Sequence, residues 1–294
     1  MLKIQNILAP VDLSEHSRPA ADHAVNLAHH FDAQVTFVHA IEPASYAYPP
    51  FEAGFASAAA VPPAKEIVQS LRKALDSFVE PLATNGRAET MVLQGDAASV
   101  IEEQARKRKA DLIVMPTRGY GAFRRLVLGS VTTKVLNDVA CPIFTGAHVE
   151  TIPPHDPRPY RRIGVAIGLL HDHENILRWA ADFSSGYGGK LLVVHGAPAL
   201  EMATPTAQIT PEIRNRVVID AQESIAKLLK KLKIEAETYV APSSAPDRVA
   251  TEAVEAKHLD LLVIGRPHGD GVLGKLSAHA YDIIRHSPCP MVSV

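Results

Sequence analysis

The sequence has few cysteines, almost no excess charge and no long apolar run. Two cysteines in 294 residues cannot form a disulfide framework, which favours a reducing compartment and a cytoplasmic location. Thirty Lys and Arg residues against 32 Asp and Glu leave a net charge of −2, so we expect no nucleic-acid partner. No apolar stretch approaches the ~20 residues that span a bilayer, and the N-terminus lacks a signal-peptide core, so we expect no membrane partner either.

The sequence does contain an internal repeat. Four short segments recur in the same order in the two halves, at nearly constant spacing: Ile7–Asp12 with Ile163–Gly168, Val38–His39 with Val194–His195, Asp111–Met115 with Asp260–Ile264, and Cys141–Ile143 with Cys289–Met291. Such self-similarity indicates a duplicated domain. A segment with four prolines separates the halves, and proline disfavours helix there. We therefore predict a domain at 1–146, a linker at 147–160 and a second domain at 161–294.

Each half alternates apolar strands with amphipathic helices. In the first half the periodicity predicts helices over 17–30, 63–85, 97–109 and 130–139, and the second half repeats the pattern with a long helix near 211–232. Strands that are apolar on both faces and separated by helices form parallel sheets covered on both sides. The predicted fold class is therefore α/β, with two tandem Rossmann-like domains that each hold a parallel five-stranded sheet. Ligands of such sheets bind at the carboxyl ends of the strands.

The stretch from Met115 to Val131 follows a predicted strand and leads into a predicted helix. It contains Gly119, Gly121 and the pair Gly129–Ser130, together with three arginines. Glycines allow close approach of an anion, and the first amides of a helix are free to bind one. The pattern is neither a Walker loop nor a dinucleotide fingerprint. From the residues alone, a phosphate-binding loop and a plain glycine-rich connection both stay open.

This loop resembles that of the universal stress protein family. Nucleotide-binding members carry Gly, two residues, Gly, nine residues, then Gly with Ser or Thr, and Gly119 with Gly129–Ser130 matches the latter part. The strand ending at Asp12, the Val38–His39 pair and Ala140–Cys141–Pro142 are also similar to the family. The likeness covers both halves, so the chain resembles a tandem member. One departure is Pro116, which stands where the family has its first glycine and has no amide hydrogen.

The resemblance implies ATP, with or without magnesium, as the ligand of the first half. The residues it implicates are Pro10, Asp12, Ala40, Gly119, Gly129, Ser130 and Val131. Asp12 would lie near the ribose or adenine, Ala40 would offer backbone contacts to the base, and Gly119 and the residues from Gly129 to Val131 would hold the phosphates. The residues alone give Asp12 another role, because Asp followed by Leu13–Ser14 is also typical of an Asx turn or helix cap.

The second half lacks several of these features. Gly168 stands in place of Asp12, Asp270 adds a negative charge to the loop, and Ser277–Ala278 replaces Gly129–Ser130. We therefore predict that the second domain keeps the fold and binds no ATP. By resemblance, the halves would pair internally through their last strands, at 143–145 and 291–293, and a homodimer of the whole chain stays open.

The leading hypothesis is an ATP-binding regulatory or stress-response protein without a catalytic residue. One alternative is an interaction protein of the same fold that binds no nucleotide, which Pro116 and the degenerate second half favour. The other is a slow magnesium-dependent ATP hydrolase or transferase that uses Asp12. The 14 histidines show no spacing typical of a metal site, and His39 and His195, at the ends of matching strands, are expected to be structural.

Overall fold

The computed structural model describes residues 2–42, 64–82, 84–117, 128–145, 159–169, 173–197, 211–243, 245–266 and 278–294. The chain forms two compact units, one holding Lys3–Gly146 and the other Ala147–Val294. The division falls at the start of the proline-rich segment, most of which (147–158) lies outside the described residues.

The first unit is a parallel sheet with helical connections. Its described elements, in chain order, are β1 (Asn6–Pro10), α1 (Arg18–Phe31), β2 (Gln34–Ile41), α2 (Ala64–Val79), β3 (Ala88–Gln94), α3 (Ala97–Lys107), β4 (Leu112–Met115), α4 (Ser130–Asp138) and β5 (Ile143–Thr145). The strand order is β3-β2-β1-β4-β5, and every neighbouring pair is parallel.

The second unit repeats this arrangement. Its described elements are β6 (Arg162–Ala166), α5 (His173–Tyr187), β7 (Lys190–Ala197), α6 (Pro211–Leu232), β8 (Glu237–Pro242), α7 (Pro246–Lys257), β9 (Leu261–Ile264), α8 (Ala278–His286) and β10 (Met291–Ser293). The order β8-β7-β6-β9-β10 is again parallel throughout. The predicted fold class, two tandem α/β domains with five-stranded parallel sheets, is confirmed.

The central strands are buried on both faces. All four residues of β4 and all four of β9 are buried, as are the last four of β1. Successive side chains of a strand point to opposite faces, so an unbroken buried run requires cover on both sides. None of the described helices is both long and apolar enough to cross a membrane.

An aspartate ties the central strands together at the amino edge of each sheet. In the first unit, Asp111 Oδ2 accepts hydrogen bonds from the amides of Gln5 (2.8 Å) and Asn6 (2.9 Å). In the second, Asp260 Oδ2 accepts from the amides of Arg161 and Arg162, both at 2.8 Å. The recurrence explains why this aspartate precedes the strand in both halves of the repeat: it binds the amides at the start of the neighbouring strand, which the ladder leaves free.

Helix α2 ends six residues earlier than the periodicity predicts. We expected a helix over 63–85, but α2 stops at Val79. Pro81 accounts for the difference, because proline has no amide hydrogen to continue the helix and disfavours the helical conformation at Glu80. Leu82 is nevertheless buried, so the apolar pattern continues through a turn that follows the helix.

Tyr160 belongs to the packed core rather than to the linker in which we placed it. The side chain is fully buried, and its ring lies 5.1 Å from that of Tyr187 and 5.7 Å from that of Phe183 on α5. Burial raises the pKa of the Tyr160 hydroxyl well above its usual range. The repeat register puts Ile4 at the corresponding place of the first unit, and Ile4 is buried as well.

Candidate functional site

The candidate site of the first unit lies at the carboxyl ends of the neighbouring strands β1 and β4, whose following connections run toward opposite edges of the sheet. Strands β1 and β4 are neighbours, but β1 leads through α1 to β2 on one side, whereas β4 leads through α4 to β5 on the other. The carboxyl ends of two such strands open a crevice in which ligands of open α/β sheets bind. Its described walls are Val11–Ser14 after β1, Pro116 and Thr117 after β4, and the start of α4.

Asp12 has one oxygen engaged within the protein and one that is open. Its Oδ1 accepts hydrogen bonds from the amide (3.0 Å) and the hydroxyl (2.5 Å) of Ser14, which is the Asx turn that the sequence allowed. Its Oδ2 is buried and meets no hydrogen-bond donor in the part of the chain that the structure describes. Leu13, between the two, has a φ of 62°, an unusual conformation for a branched side chain. A buried acceptor without a donor is costly, so this oxygen fits a ligand that donates one.

The end of β2 offers backbone groups beside Asp12. Val11 N donates to Val38 O at 2.9 Å, which is the last backbone hydrogen bond between these two chain segments among the described residues. Residues two apart on a strand point the same way, so the N–H and C=O of Ala40 face the same side as those of Val38, beyond the end of β1. The carbonyl oxygen of Val11 is hydrogen-bonded to His39 Nδ1, at 2.9 Å. Pro10, the last residue of β1, is buried and fixes the chain direction before Asp12.

The structural role predicted for the two strand-end histidines is confirmed. His195 Nδ1 lies 2.9 Å from Ile167 O, which repeats the contact of His39 with Val11. A carbonyl oxygen only accepts, so the imidazole donates from Nδ1 in both units. Each histidine thereby holds the loop after the first strand of its unit against the second strand.

The start of α4 forms the other wall of the crevice. Gly129 N donates to Thr117 O at 2.9 Å, and the Thr132 hydroxyl donates to Pro116 O at 3.2 Å. These bonds fix the helix terminus beside the end of β4 and use the Gly129 amide within the protein. The amides of Ser130 and Val131 meet no acceptor among the residues described, as expected for the first turn of a helix. Of the residues predicted to hold phosphate, Gly119 lies outside the described residues.

A further bridge, which the sequence did not reveal, fixes α4 against α3. Lys134 Nζ lies 2.8 Å from Asp96 Oδ1, and the same carboxylate caps α3 by accepting from the amide (2.9 Å) and hydroxyl (2.7 Å) of Ser99. The hydrogen bond from Lys134, followed by those from Ser99, holds the pKa of the Asp96 carboxyl well below its usual range. The Asp–x–x–Ser spacing in the sequence indicates the cap on α3 but gives no sign of Lys134.

The equivalent crevice of the second unit keeps the framework without the polar groups. Gly168, which replaces Asp12, is exposed, and apart from its chain neighbours no described residue has an atom within 4 Å of where a Cβ would be. Gly265, the counterpart of Pro116, is covered by Ile176 from the first turn of α5, since a Cβ at 265 would lie 2.3 Å from Ile176 Cδ1. The glycine surface that could approach a phosphate is therefore packed against a side chain of the protein itself.

Possible metal clusters and the buried thiol of Cys289 can be assessed in the part of the chain that the structure describes. No cluster of three or more His, Cys, Asp or Glu side chains suited to a metal ion occurs among those residues. His171 and Asp172, the densest histidine region of the sequence, lie outside them. Burial raises the pKa of the Cys289 thiol to about 12, so at neutral pH this cysteine stays protonated and unreactive.

Both units match one protein family. The universal stress protein family matches residues 3–145 and again 159–294. The chain belongs to the universal stress protein family. The two matches identify it as a tandem member, as the repeat and the loop predicted.

Known relatives of this universal stress protein agree with the duplication. It is 37% identical over 143 residues to a universal stress protein of Thermus aquaticus, an alignment that covers 48% of this chain and 96% of the relative. A solved universal stress protein from Archaeoglobus fulgidus has the same fold, with a TM-score of 0.72 at 17% identity over 99% of this chain and 98% of that one. Another solved universal stress protein, with a TM-score of 0.38 at 19% identity over 49% of this chain and 97% of its own, is in complex with cAMP.

The contact between Gly265 and Ile176 predicts a strong coupling. Gly265→Ala is expected to lower the free energy of unfolding by about 1–3 kcal/mol, because the added Cβ overpacks the site against Ile176. Ile176 is half-buried, so Ile176→Ala alone should cost about 1–2 kcal/mol through the contacts it removes. The double variant should cost at least ~1 kcal/mol less than the two single changes together, measured by urea denaturation. Additive effects would show that the two residues do not pack on each other.

Proposed function

We propose that this universal stress protein binds ATP, with or without magnesium, in the crevice of its first unit and uses it as a regulatory signal. The observation that carries the proposal is the buried Asp12 Oδ2 without a donor, on the β1 side of a crevice whose β4 side presents the open amides of Ser130 and Val131. One wall therefore needs a hydrogen-bond donor, and the other needs an acceptor or an anion. A nucleotide carries both.

The groups of ATP match the two walls separately. A ribose hydroxyl or the adenine amino group can donate to Asp12 Oδ2, and the Ala40 N–H and C=O suit the edge of a base. The phosphates suit the first amides of α4, where the helix dipole also favours negative charge. Pro116 provides no amide, but its carbonyl anchors Thr132, so in this protein it supports the helix terminus instead.

Binding is proposed for the first unit only. The second unit has Gly168 in place of the carboxylate, and Ile176 covers the bare face of Gly265. A nucleotide there would lose its donor contact and would have to displace a packed isoleucine. The second unit would then serve assembly, by pairing with the first through their final strands, β5 and β10.

The path of the chain from the start of α4, where the phosphates would bind, to β5 supports a regulatory role. Helix α4, whose first amides would hold the phosphates, leads directly into β5. Ligand bound at the start of α4 would therefore stabilise the segment that ends in the pairing strand. This supports ATP as an assembly or conformational signal in a stress response. A cytoplasmic location, favoured by the two cysteines, is part of the same proposal.

Asp12→Ala tests the proposal. Losing a hydrogen bond to a charged group is worth about 1.5–3 kcal/mol, so Mg-ATP should bind roughly 10- to 150-fold more weakly. Asp32→Ala is the matched control, because Asp32 is an exposed carboxylate at the opposite end of the first unit, where it pairs with Arg87. If calorimetry gave equal affinities of Asp12→Ala and the wild type for Mg-ATP, Asp12 would not contact the nucleotide and the proposal would be wrong on this point.

A further inference from the structure

The first unit contains a cavity at the amino edge of its sheet, away from the nucleotide crevice. Its volume is about 290 Å³, and its polar lining comes from β1, β2, β3 and the end of α3: Asn6, Gln34, Thr36, Glu89 and Arg108. A water molecule occupies ~30 Å³, so the space suits a small organic molecule. Asn6 is the first residue of β1 and Pro10 the last, so the cavity and the crevice lie at opposite ends of that strand.

The charges that line this cavity balance each other. Arg108 Nη1 and Nη2 donate to the two carboxylate oxygens of Glu89 at 2.6 and 2.8 Å, and Nη1 also lies 3.1 Å from the Thr36 hydroxyl. The hydrogen bond from Arg108 lowers the pKa of the Glu89 carboxyl, so the pair stays ionised at neutral pH. The remaining polar lining is the neutral carboxamides of Asn6 and Gln34. The polar part of the lining is therefore close to uncharged, and Ile7, Leu8, Val35 and Ala110 make the rest of the lining apolar.

The second unit keeps an acidic residue, Glu237, at the place of Glu89 but differs at other positions of this lining. By the repeat register, Asn6, Gln34, Thr36 and Ala110 of the first unit correspond to Arg162, Lys190, Leu192 and Leu259. Leu259 is buried, and its Cδ1 lies 2.5 Å from where a Cβ of Gly164 would be, Gly164 being the counterpart of the cavity residue Leu8. Apolar side chains therefore pack where the first unit has Thr36 and Ala110.

We propose that this cavity binds a small uncharged molecule with adjacent hydroxyl groups, such as a polyol or a monosaccharide. Carboxamide, carboxylate and guanidinium groups each present two polar atoms side by side, which matches neighbouring hydroxyls that both donate and accept. An anion would compete with Glu89 for Arg108. An apolar ligand would make no hydrogen bonds with the polar part of the lining.

The test is an NMR titration of the full chain with four probes: myo-inositol, D-glucose, D-ribose and glycerol. At least one probe should give saturable shifts of the Thr36, Glu89 and Ala110 amides. Ala110→Leu enlarges a side chain of the lining and reduces the free volume, so it should weaken that probe at least ~10-fold. Ala74→Leu adds the same side chain at an exposed position of α2 and should leave the shifts unchanged. Thr36→Val, which keeps the shape and removes the hydroxyl, should also weaken the probe.

Three results would overturn the proposal. They are no saturable shift from any of the four probes, shifts that persist unchanged in Ala110→Leu and Thr36→Val, and sodium phosphate producing the same shifts at lower concentration than the best probe. Mg-ATP affinity should be the same in Ala110→Leu as in the wild type. The outcome at the cavity is thus independent of whether the crevice binds nucleotide.

Discussion

Asp111→Ala should lower the free energy of unfolding of the first unit by about 2–4 kcal/mol. The substitution removes the carboxylate that accepts the amides of Gln5 and Asn6, and hydrogen bonds to a charged group contribute about 1.5–3 kcal/mol each before solvent exposure reduces them. These amides begin β1, the central strand that carries Asp12 at its other end. Urea denaturation followed by circular dichroism measures the change.

The repeat supplies a matched test for this effect. Asp260→Ala should destabilise the second unit to a similar extent, because Asp260 accepts the amides of Arg161 and Arg162, both at 2.8 Å. Asp111→Asn keeps one oxygen that can accept both bonds and should lose less than half as much. Asp220→Ala, which breaks an exposed pair with Arg216, should change stability by no more than ~0.5 kcal/mol. If Asp111→Ala were as mild as Asp220→Ala, the role assigned to this aspartate would be wrong.

The second large expected effect is acid destabilisation through His23. This residue of α1 is fully buried, its ring lies 4.5 Å from that of Phe144, and burial lowers its pKa to about 3. In the unfolded chain the histidine pKa is near 6.5. Between pH 6.5 and 3 the unfolded chain therefore binds a proton at His23 that the folded protein does not bind. Stability is therefore fully present above pH 6.5 and falls as the pH drops toward 3, by as much as ~5 kcal/mol from this group alone.

His23→Leu should remove that part of the pH dependence. The free energy of unfolding of the variant should fall less between pH 6.5 and 4 than that of the wild type, whatever its stability at neutral pH. His29→Gln is the control, because His29 lies on the same helix and is exposed. Chemical denaturation at several pH values provides the slopes. Parallel slopes for wild type and His23→Leu would show that His23 can take up its proton in the folded state.

Part of this molecule could be predicted from local pattern and repetition. The repeat aligns Asp111 with Asp260 and His39 with His195 in sequence. The two members of each aligned pair make the same kind of contact, each within its own unit. The Asx turn at Asp12 was predictable because both hydrogen-bond donors, the amide and the hydroxyl of Ser14, lie only two residues along the chain. These features depend on neighbours in sequence, or on a second copy that exposes them.

Contacts between distant segments could not be predicted in the same way. The use of the Gly129 amide by Thr117 requires the path of the chain between them, and the glycine pattern gives no sign of it. The cover of Gly265 by Ile176 and the bridge from Lys134 to Asp96 join separate helices and strands. The end of α2 at Val79 was missed because the apolar period continues past Pro81, although the helix cannot.

The central claim, one nucleotide site in a tandem protein, is tested most directly by the stoichiometry of Mg-ATP binding. Calorimetric titration of the nucleotide-stripped full chain should give one ATP per chain. Two per chain would contradict the closure of the second crevice by Ile176 and the loss of the carboxylate at Gly168. No binding would contradict the site itself and leave a protein of this fold that acts through its surfaces alone.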